Sequence, residues 1–195
     1  MSLRFALLGF LDTAPASGFE IAREFGESIG WFWHASHSQI YPELRRLENE
    51  ELIEGVEVAG GPGKRKRVYS LLPAGREQLR AWLEEPTQYA PVRDVERVKL
   101  MFLDDAPISA IRSHLEDHVV YYQDLLEAYS AQALELHAGT FPRLVKRVAS
   151  RTSTEPELIK GMKLIAMQGN IARARTEIAW AKDALVWLAG WEERA

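Results

Sequence analysis

Apolar positions near the start of the chain recur at helical spacing. Residues 3–13 carry such a face, and Pro15 ends it. Ser17 and Glu20 then have the spacing of a capping box, in which each side chain satisfies a backbone amide at the start of a helix. A second helix is therefore predicted over residues 18–29.

A third apolar face is formed by Ile40, Leu44 and Leu47, again at helical spacing. Pro42 limits where this helix can begin, because a proline costs about 3 kcal/mol in a helix interior and little in the first turn. We therefore expect the helix to start near residues 36–38, with a serine as its N-cap.

After Gly55 the pattern changes from helical spacing to alternation. Residues 56–58 and 67–71 alternate, and the glycine-rich segment 60–63 lies between them, which is typical of a hairpin. Four consecutive cations lie at the predicted tip and on the returning strand: Lys64, Arg65, Lys66 and Arg67. A further helix is predicted from Pro73 and ends before the next proline.

The proline-containing segment 86–93 is the predicted boundary between an N-terminal domain, residues 1–86, and a C-terminal domain, residues 87–195. Beyond it, a long helix is predicted over residues 108–136. Residues 138–153 look irregular apart from a short helix, and the last helix is predicted over about 155–192.

The last helix carries a heptad repeat, which predicts a seam that packs against another helix. The seam comprises Leu164, Met167, Ile171, Ala174, Ile178, Ala181, Leu185 and Leu188. Trp180 and Trp187 lie on a second stripe, and Trp191 follows four residues later. Because exposed apolar stripes usually mark association surfaces, we expect a dimer. Its predicted contacts are Leu164, Ile171, Ile178, Leu185, Leu188, Trp180 and Trp187.

Three helices followed by a hairpin is the element order of a winged helix-turn-helix. In that arrangement the third helix enters the major groove of DNA, and the cations of the wing meet phosphates. The predicted fold class is therefore mainly α with a small β-hairpin: a winged helix-turn-helix followed by a long-helix dimerisation domain.

Composition limits the classes of protein that remain. The chain has 195 residues and a net charge of −4, which alone argues against a nucleic-acid partner. Residues 60–80, however, hold six cationic side chains and one carboxylate, a local charge of +5. The chain contains no cysteine and no apolar run near the roughly 20 residues that span a bilayer. We expect a cytoplasmic protein with no disulfide, no cofactor and no membrane partner.

These motifs together resemble the PadR family of bacterial transcriptional regulators. The resemblance covers the first 85 residues and rests on residues 9–11, 17–21, 33–48 and 66–83, including the Ile-Tyr-Pro-x-Leu segment at 40–44 ahead of the basic wing. The remainder resembles the family's variable helical dimerisation domain. The resemblance implies a homodimeric repressor that binds an inverted-repeat operator and releases it on binding a small effector.

The resemblance also carries roles to individual positions. The residues expected to contact double-stranded DNA are Ser38, Gln39, Tyr41, Pro42, Arg45, Arg46, Lys64, Arg65, Lys66 and Arg67. Regulators of this kind often bind aromatic effectors between subunits, and aromatic walls suit planar ligands. The residues expected to line such a site are Trp180, Trp187 and Trp191.

Several side chains have a second interpretation. Gln39 can cap its own helix instead of reading adenine, and Arg46 can pair with Glu43 or Glu50 on the helix surface instead of reading guanine. His114 and His118 have a spacing that can bind a metal, but without a third ligand a surface or interface pair is favoured.

No nucleophile lies near a base at a recognised spacing, so we expect no enzyme. The alternative function is a winged-helix module that binds proteins without specific DNA binding. A second alternative is an architectural protein that binds DNA of any sequence.

Overall fold

The computed structural model of the chain describes residues 2–27, 36–61, 64–89, 91, 93–151 and 155–193. They form two compact units, Met1–Gln88 and Tyr89–Ala195. The first unit combines helices with a small antiparallel sheet, and the second is built from long helices. The predicted fold class, a winged helix followed by long helices, is confirmed.

The helices of the first unit lie where the apolar spacing predicts them. Their bounds are α1 (Ser2–Leu11), α2 (Gly18–Glu27), α3 (His37–Asn49) and α4 (Pro73–Glu84). The last two positions predicted for α2, residues 28–29, lie outside the described residues. Ser36 is the N-cap of α3, as expected, although Pro42 then falls beyond the first turn.

The sheet has the strand order β1-β3-β2, with antiparallel pairing throughout. Its strands are β1 (Ala16–Ser17), β2 (Ile53–Gly61) and β3 (Lys64–Leu71). The predicted hairpin is β2 and β3; the turn residues 62–63 lie outside the described part of the chain. The pattern did not predict β1, because two residues are too few to show alternation.

One apolar core joins the helices of the first unit to the sheet. Its fully buried side chains come from α1, α2, α3 and β2, and include Leu7, Leu8, Ile21, Ile40, Leu44, Leu47 and Ile53. Burying one such side chain stabilises a fold by about 1.5–3 kcal/mol. The core therefore fixes the rotation of α3, and the opposite side of that helix faces solvent.

The chain reverses sharply between α3 and β2. Glu51 has a positive φ of 58°, and the Leu52 N–H donates to the Leu47 carbonyl at 3.0 Å. Such a reversal satisfies carbonyls at the end of a helix. As a result, Glu48 in the last turn of α3 lies beside the first residues of β2.

The second unit is helical throughout its described elements. These are α5 (Val95–Leu100), a 3-10 turn (Leu103–Asp105), α6 (Ile108–Ala138), α7 (Pro142–Ala149) and α8 (Pro156–Glu192). Gly139 ends α6 with a φ of 73°, a left-handed conformation that glycine adopts without strain.

The two long helices pack against each other within one chain. Val119 of α6 is buried against Ile178 and Ala181 of α8. Tyr122, Leu126, Trp180 and Leu185 flank this cluster. The helix that the heptad seam of α8 requires is thus, at least in this stretch, α6 of the same chain.

Helix α4 packs closely against the start of β2 at Gly75. The Leu72 N–H, just before the helix, donates to the Leu52 carbonyl at 3.0 Å. A Cβ at Gly75 would run into that same carbonyl oxygen, whereas a Cβ at Gly9 in α1 would meet only Leu79 Cδ1, at 4.0 Å.

We expect opposite stability changes from the same substitution at these two glycines. Gly75→Ala should lower the free energy of unfolding by about 1–3 kcal/mol, because the backbone of β2 must move. Gly9→Ala should raise it by up to about 1 kcal/mol, because alanine favours a helix and the space is open. Urea unfolding of the full chain measures both. A Gly75→Ala variant as stable as the parent would contradict this packing.

Candidate nucleic-acid interface

The start of α2 is held by the predicted capping box. The Ser17 N–H and hydroxyl both donate to Glu20 Oε2 at 2.7 Å, and the Glu20 N–H donates to Ser17 Oγ at 3.3 Å. A Cβ at Gly18 would lie 2.6 Å from Cε1 of Tyr41. The absence of a side chain at Gly18 therefore lets the Tyr41 ring lie directly against the start of α2.

The solvent face of α3 contains the residues predicted to contact DNA. These exposed residues are Ser38, Gln39, Tyr41, Pro42, Arg45 and Arg46. Ile40 and Leu44, which alternate with them, are fully buried. The structure thus brings the six predicted positions onto one helix side, and their contact with DNA stays a prediction.

Two of these side chains have hydrogen-bond partners within the helix. Gln39 Oε1 accepts the Ser36 N–H at 3.0 Å, so Gln39 is the capping residue of the alternative interpretation. Arg46 donates to Glu43 at 3.0 Å, and Glu43 also accepts from Arg4 at 3.1 Å. Base contacts by Gln39 or Arg46 would require these bonds to be given up, and they stay a prediction.

The wing presents its cations on both faces of β3. Arg67 lies opposite Glu57 in the register with β2, Arg65 lies opposite Ala59, and Lys66 points to the other face. The side chains of Arg65, Lys66 and Arg67 are all exposed. The backbone of Lys64 belongs to β3, but its side chain lies outside what the structure describes.

Each of these three wing cations forms an ion pair with a carboxylate of the same unit. Arg65 pairs with Glu57 of β2 at 3.2 Å. Lys66 pairs with Glu20 of α2 at 3.1 Å, and Arg67 pairs with Glu48 of α3 at 2.5 Å. The hydrogen bond that Arg67 donates to Glu48 raises the pKa of Arg67 above its usual value. The local positive charge that the sequence shows is therefore largely compensated in the folded unit.

These carboxylates were not predicted from the sequence to belong to the site. The contact of Glu57 could have been predicted, because pairing of the two hairpin strands places it near Arg65 and Arg67. Glu20 and Glu48 lie on helices distant in sequence from the wing. No local pattern signals their contacts with it.

A cleft of about 730 Å³ separates the wing from the helices. Its walls combine cationic side chains, the start of α2 and exposed aromatic rings. Lining residues include Phe19, Arg23, Tyr41, Arg65, Lys66 and Arg67. The cationic side chains in this cleft suit an anionic phosphate backbone.

The tryptophans predicted to line an effector site have two different sets of neighbours. The Arg97 guanidinium lies 4.4 Å from the Trp180 ring centre, and His118 lies edge-on to the same ring at 5.2 Å. Trp187 instead stacks on Trp191, with ring centres 6.1 Å apart, and both are more than half exposed.

The predicted dimer contacts on α8 differ in exposure within the single chain. Ile178 and Leu188 are buried, while Leu164, Ile171, Trp180 and Leu185 are partly buried. Trp187 is exposed. Whether these residues also contact a second copy stays a prediction.

A second cleft, of about 460 Å³, lies between α5 and α6. It is lined by Glu96, Lys99, His114, Asp117, His118, Tyr121 and Tyr122. His118 is also 3.3 Å from Glu177 of α8, which accepts from Arg97 at 2.8 Å. The cleft therefore shares His118, which lies edge-on to Trp180, with the polar cluster of Arg97, His118 and Glu177.

The two histidines contact different carboxylates. His114 lies 2.8 Å from Glu96 of α5, whereas His118 contacts Glu177 of α8. Among the described residues, no group of three or more His, Asp and Glu side chains has an arrangement that would hold a metal ion. Nor does any described helix have the length and apolarity needed to cross a membrane.

Two family models match the chain and divide it between them. The model described as "Transcriptional regulator PadR-like family" matches residues 7–81. The model described as "Virulence activator alpha C-term" matches residues 92–189.

Similar proteins extend over nearly the whole chain. The negative transcriptional regulator PadR of Bacillus subtilis (strain 168) is 28% identical over 186 residues, which cover 95% of this chain and 97% of that protein. The crystal structure of Bacillus subtilis PadR in complex with operator DNA has a TM-score of 0.78 at 24% identity and shares the fold over 95% of this chain and 97% of that chain. The complex of the same protein with p-coumaric acid has a TM-score of 0.70 at 25% identity, over 96% of this chain and 95% of that chain.

Glu20 belongs to the capping box and also pairs with the wing, and its ionisation should make the stability of the fold depend on pH. Hydrogen bonds from Ser17, reinforced by Lys66, lower the Glu20 pKa from 4.5 to about 2. Because the folded pKa is depressed, the ionised carboxylate stabilises the fold above pH 4.5, and this stabilisation is lost as the pH falls towards 2. The side chain is 35% exposed, so the effect should be about 1 kcal/mol or less.

Glu20→Gln should therefore be less stable than the parent at pH 6, and the difference should shrink between pH 4.5 and 2. Urea unfolding across this range measures it. Glu54→Gln is the matched control, since Glu54 is an exposed carboxylate on β2 that forms no ion pair within the described residues. Equal stability losses at pH 6 and pH 2 would contradict the assignment.

Proposed function

The chain belongs to the PadR-like family of transcriptional regulators, and on this premise we propose that it is a homodimeric repressor that binds an inverted-repeat operator and releases it when a small effector binds. The observation that carries the proposal is the solvent face of α3, which lies beside a cation-bearing wing within one compact unit. A helix with polar side chains next to a basic hairpin is the arrangement that reads a major groove and grips its flanking phosphates.

The proposed division of labour follows the chemistry of each side chain. Gln39 and Arg46 are suited to adenine and guanine edges, and the Tyr41 ring is suited to a thymine methyl. The remaining positions contact phosphates and set the register of the protein on the duplex. These are Ser38, Arg45, Lys64, Arg65, Lys66 and Arg67, while Pro42, which has no donor, makes only van der Waals contact with the DNA.

An inverted-repeat operator requires two copies of the reading unit, and α8 offers a surface for pairing. One side of α8 is buried against α6, while another carries exposed apolar side chains. Those at its ends are Leu158, Met162, Ile165, Val186, Trp187 and Trp191. Exposed apolar area of this extent favours association with a second copy. Leu164 and Ile171 of the seam stay predicted contacts and are partly buried in the single chain.

Repression and effector release are proposed from the similar protein of Bacillus subtilis. That protein is a negative regulator, and it has been crystallised with operator DNA and with p-coumaric acid. The effector proposed for this chain is a small aromatic compound bound among Trp180, Trp187 and Trp191. Trp180 lies apart from the stacked pair Trp187 and Trp191, and in this proposal residues of a second copy complete the site.

The proposed function predicts a specific complex with DNA from upstream of the protein's own gene. A gel shift should give a band that survives excess scrambled duplex of the same length and composition. Replacing Arg65 and Arg67 by alanine should weaken binding to both duplexes. The plot of log affinity against log salt should also become less steep. Its slope should shrink in magnitude by about 1 for each phosphate that the variant no longer neutralises. Arg175→Ala, an exposed change on α8, is the control.

The two alternative functions predict different bands in this gel shift. Absence of any specific band at low salt would favour a protein-interaction module, and equal binding of both duplexes would favour an architectural protein. A reporter gene behind the same DNA distinguishes repression from activation, because deletion of the regulator should raise expression.

The dimer is tested by placing a charge on the exposed side of α8. Trp187 is 64% exposed in the single chain, so Trp187→Glu should leave the protomer folded and weaken association, which sedimentation measures. Tyr89→Glu, at a side chain 91% exposed, is the control. A parent protein that sediments as a monomer at micromolar concentration would refute the dimer.

A further inference from the structure

The ion pairs of the wing differ in how their carboxylates are held. Glu48 Oε1 accepts the N–H of Gly55 at 3.0 Å in addition to the Arg67 guanidinium at 2.5 Å. Glu57, by contrast, is 52% exposed and pairs with an Arg65 side chain that is 82% exposed. One carboxylate is thus fixed to the backbone of the sheet, whereas the other belongs to a surface ion pair.

The backbone at Gly55 is shaped for the Glu48 carboxylate and Arg67. A Cβ at this position would lie 2.5 Å from Arg67 Nε and 2.6 Å from Glu48 Oε1. Any other residue would therefore displace one of the two side chains. Because Gly55 has no side chain, the ion pair of Glu48 and Arg67 can lie directly against β2 at this position.

Arg67 keeps part of its guanidinium available for a further ligand. Its side chain is 43% exposed and lines the cleft between the wing and the helices. A guanidinium carries five N–H donors in a rigid plane, and the bond to Glu48 engages one of its terminal nitrogens. Fixing that edge of the plane also fixes the direction of the remaining donors.

We propose that Glu48 is a positioning residue for DNA binding: anchored on the Gly55 amide, it aims Arg67 at a phosphate of the operator. The inference rests on the proposed function, because it presumes that Arg67 contacts DNA. A flexible arginine loses side-chain freedom when it is held on a phosphate, and prior immobilisation by Glu48 removes part of that cost.

This role predicts a result opposite to that expected from charge alone. Removing a carboxylate near DNA removes repulsion from phosphates, so simple electrostatics predicts tighter binding for every such variant. Glu57→Ala should follow that rule and raise operator affinity by up to about threefold. Glu48→Ala should instead lower it by about threefold to tenfold, because Arg67 is no longer aimed at the phosphate.

A double-mutant cycle separates positioning from damage to the fold. Arg67→Ala should itself weaken operator binding by about tenfold. In that background, adding Glu48→Ala should cause no further loss, since there is no guanidinium left to position. Glu48→Gln keeps a carbonyl oxygen that can accept from both Gly55 and Arg67. Its affinity should therefore lie between those of Glu48→Ala and the parent.

The experiment measures operator affinity at several salt concentrations for the parent, the single variants and the double variant, with thermal unfolding to confirm that each is folded. The inference is overturned if Glu48→Ala binds as tightly as the parent or tighter. It is also overturned if Glu48→Ala costs the same factor with and without Arg67. If Glu48→Ala does not fold, Glu48→Gln takes its place in the test. An operator affinity of Glu48→Gln above that of the parent would overturn the inference, because it would mean that Glu48 acts through its charge alone.

Failure of the proposed function gives a different pattern. In that case the parent forms no specific operator complex, whatever stands at position 48. A specific parent complex that Arg67→Ala weakens and Glu48→Ala does not would leave the function intact and overturn only the positioning role.

Discussion

Burial of one side of α3 is the constraint on which the first unit depends. Ile40, Leu44 and Leu47 are fully buried, and together they fix the rotation of the helix about its axis. A slip of one residue would turn the apolar side chains by about 100° and expose them to water. The polar side chains that alternate with them are thereby held towards solvent. The same burial places Glu48 beside β2, where it meets Gly55 and Arg67.

The charges of the wing are more closely compensated than the sequence suggests. Arg65, Lys66 and Arg67 each have a carboxylate partner within 3.2 Å. Exposed ion pairs contribute little to stability, so these pairs are not needed to hold the hairpin. The pairs differ in how firmly they hold the cation: Glu48 is itself bound to the Gly55 amide, whereas Glu57 and Arg65 form a largely exposed pair. The net charge of −4 therefore does not describe the wing, where cations and carboxylates alternate in close pairs.

Local pattern predicted the longer helices and the hairpin, but not the two-residue strand β1 and not all the contacts between elements. Helical spacing and alternation gave the helices and the hairpin, and the Ser17–Glu20 capping box formed as expected, because each depends on residues a few positions apart. The partners of Lys66 and Arg67 depend on how α2 and α3 pack against the sheet. Such contacts join residues 19 or more positions apart, and no local period records them. The DNA and dimer contacts assigned to single residues remain predictions for the same reason.

The heptad repeat of α8 correctly predicts that this helix packs against another, but it does not identify the other helix. A repeat of seven requires a packed helix, but it does not state whether that helix belongs to the same chain or to another. Ile178 and Ala181 pack on Val119 of α6, so this part of the seam is already satisfied within the protomer. A side of α8 that α6 does not cover remains available for the proposed association with a second copy. The exposed side carries Trp187 near the C-terminal end and Ile165 near the other, with small residues such as Gly169, Ala172 and Ala179 exposed between them. Small side chains let two helices approach closely while larger ones pack at the ends, so a long helix can serve the protomer on one side and a second copy on the other.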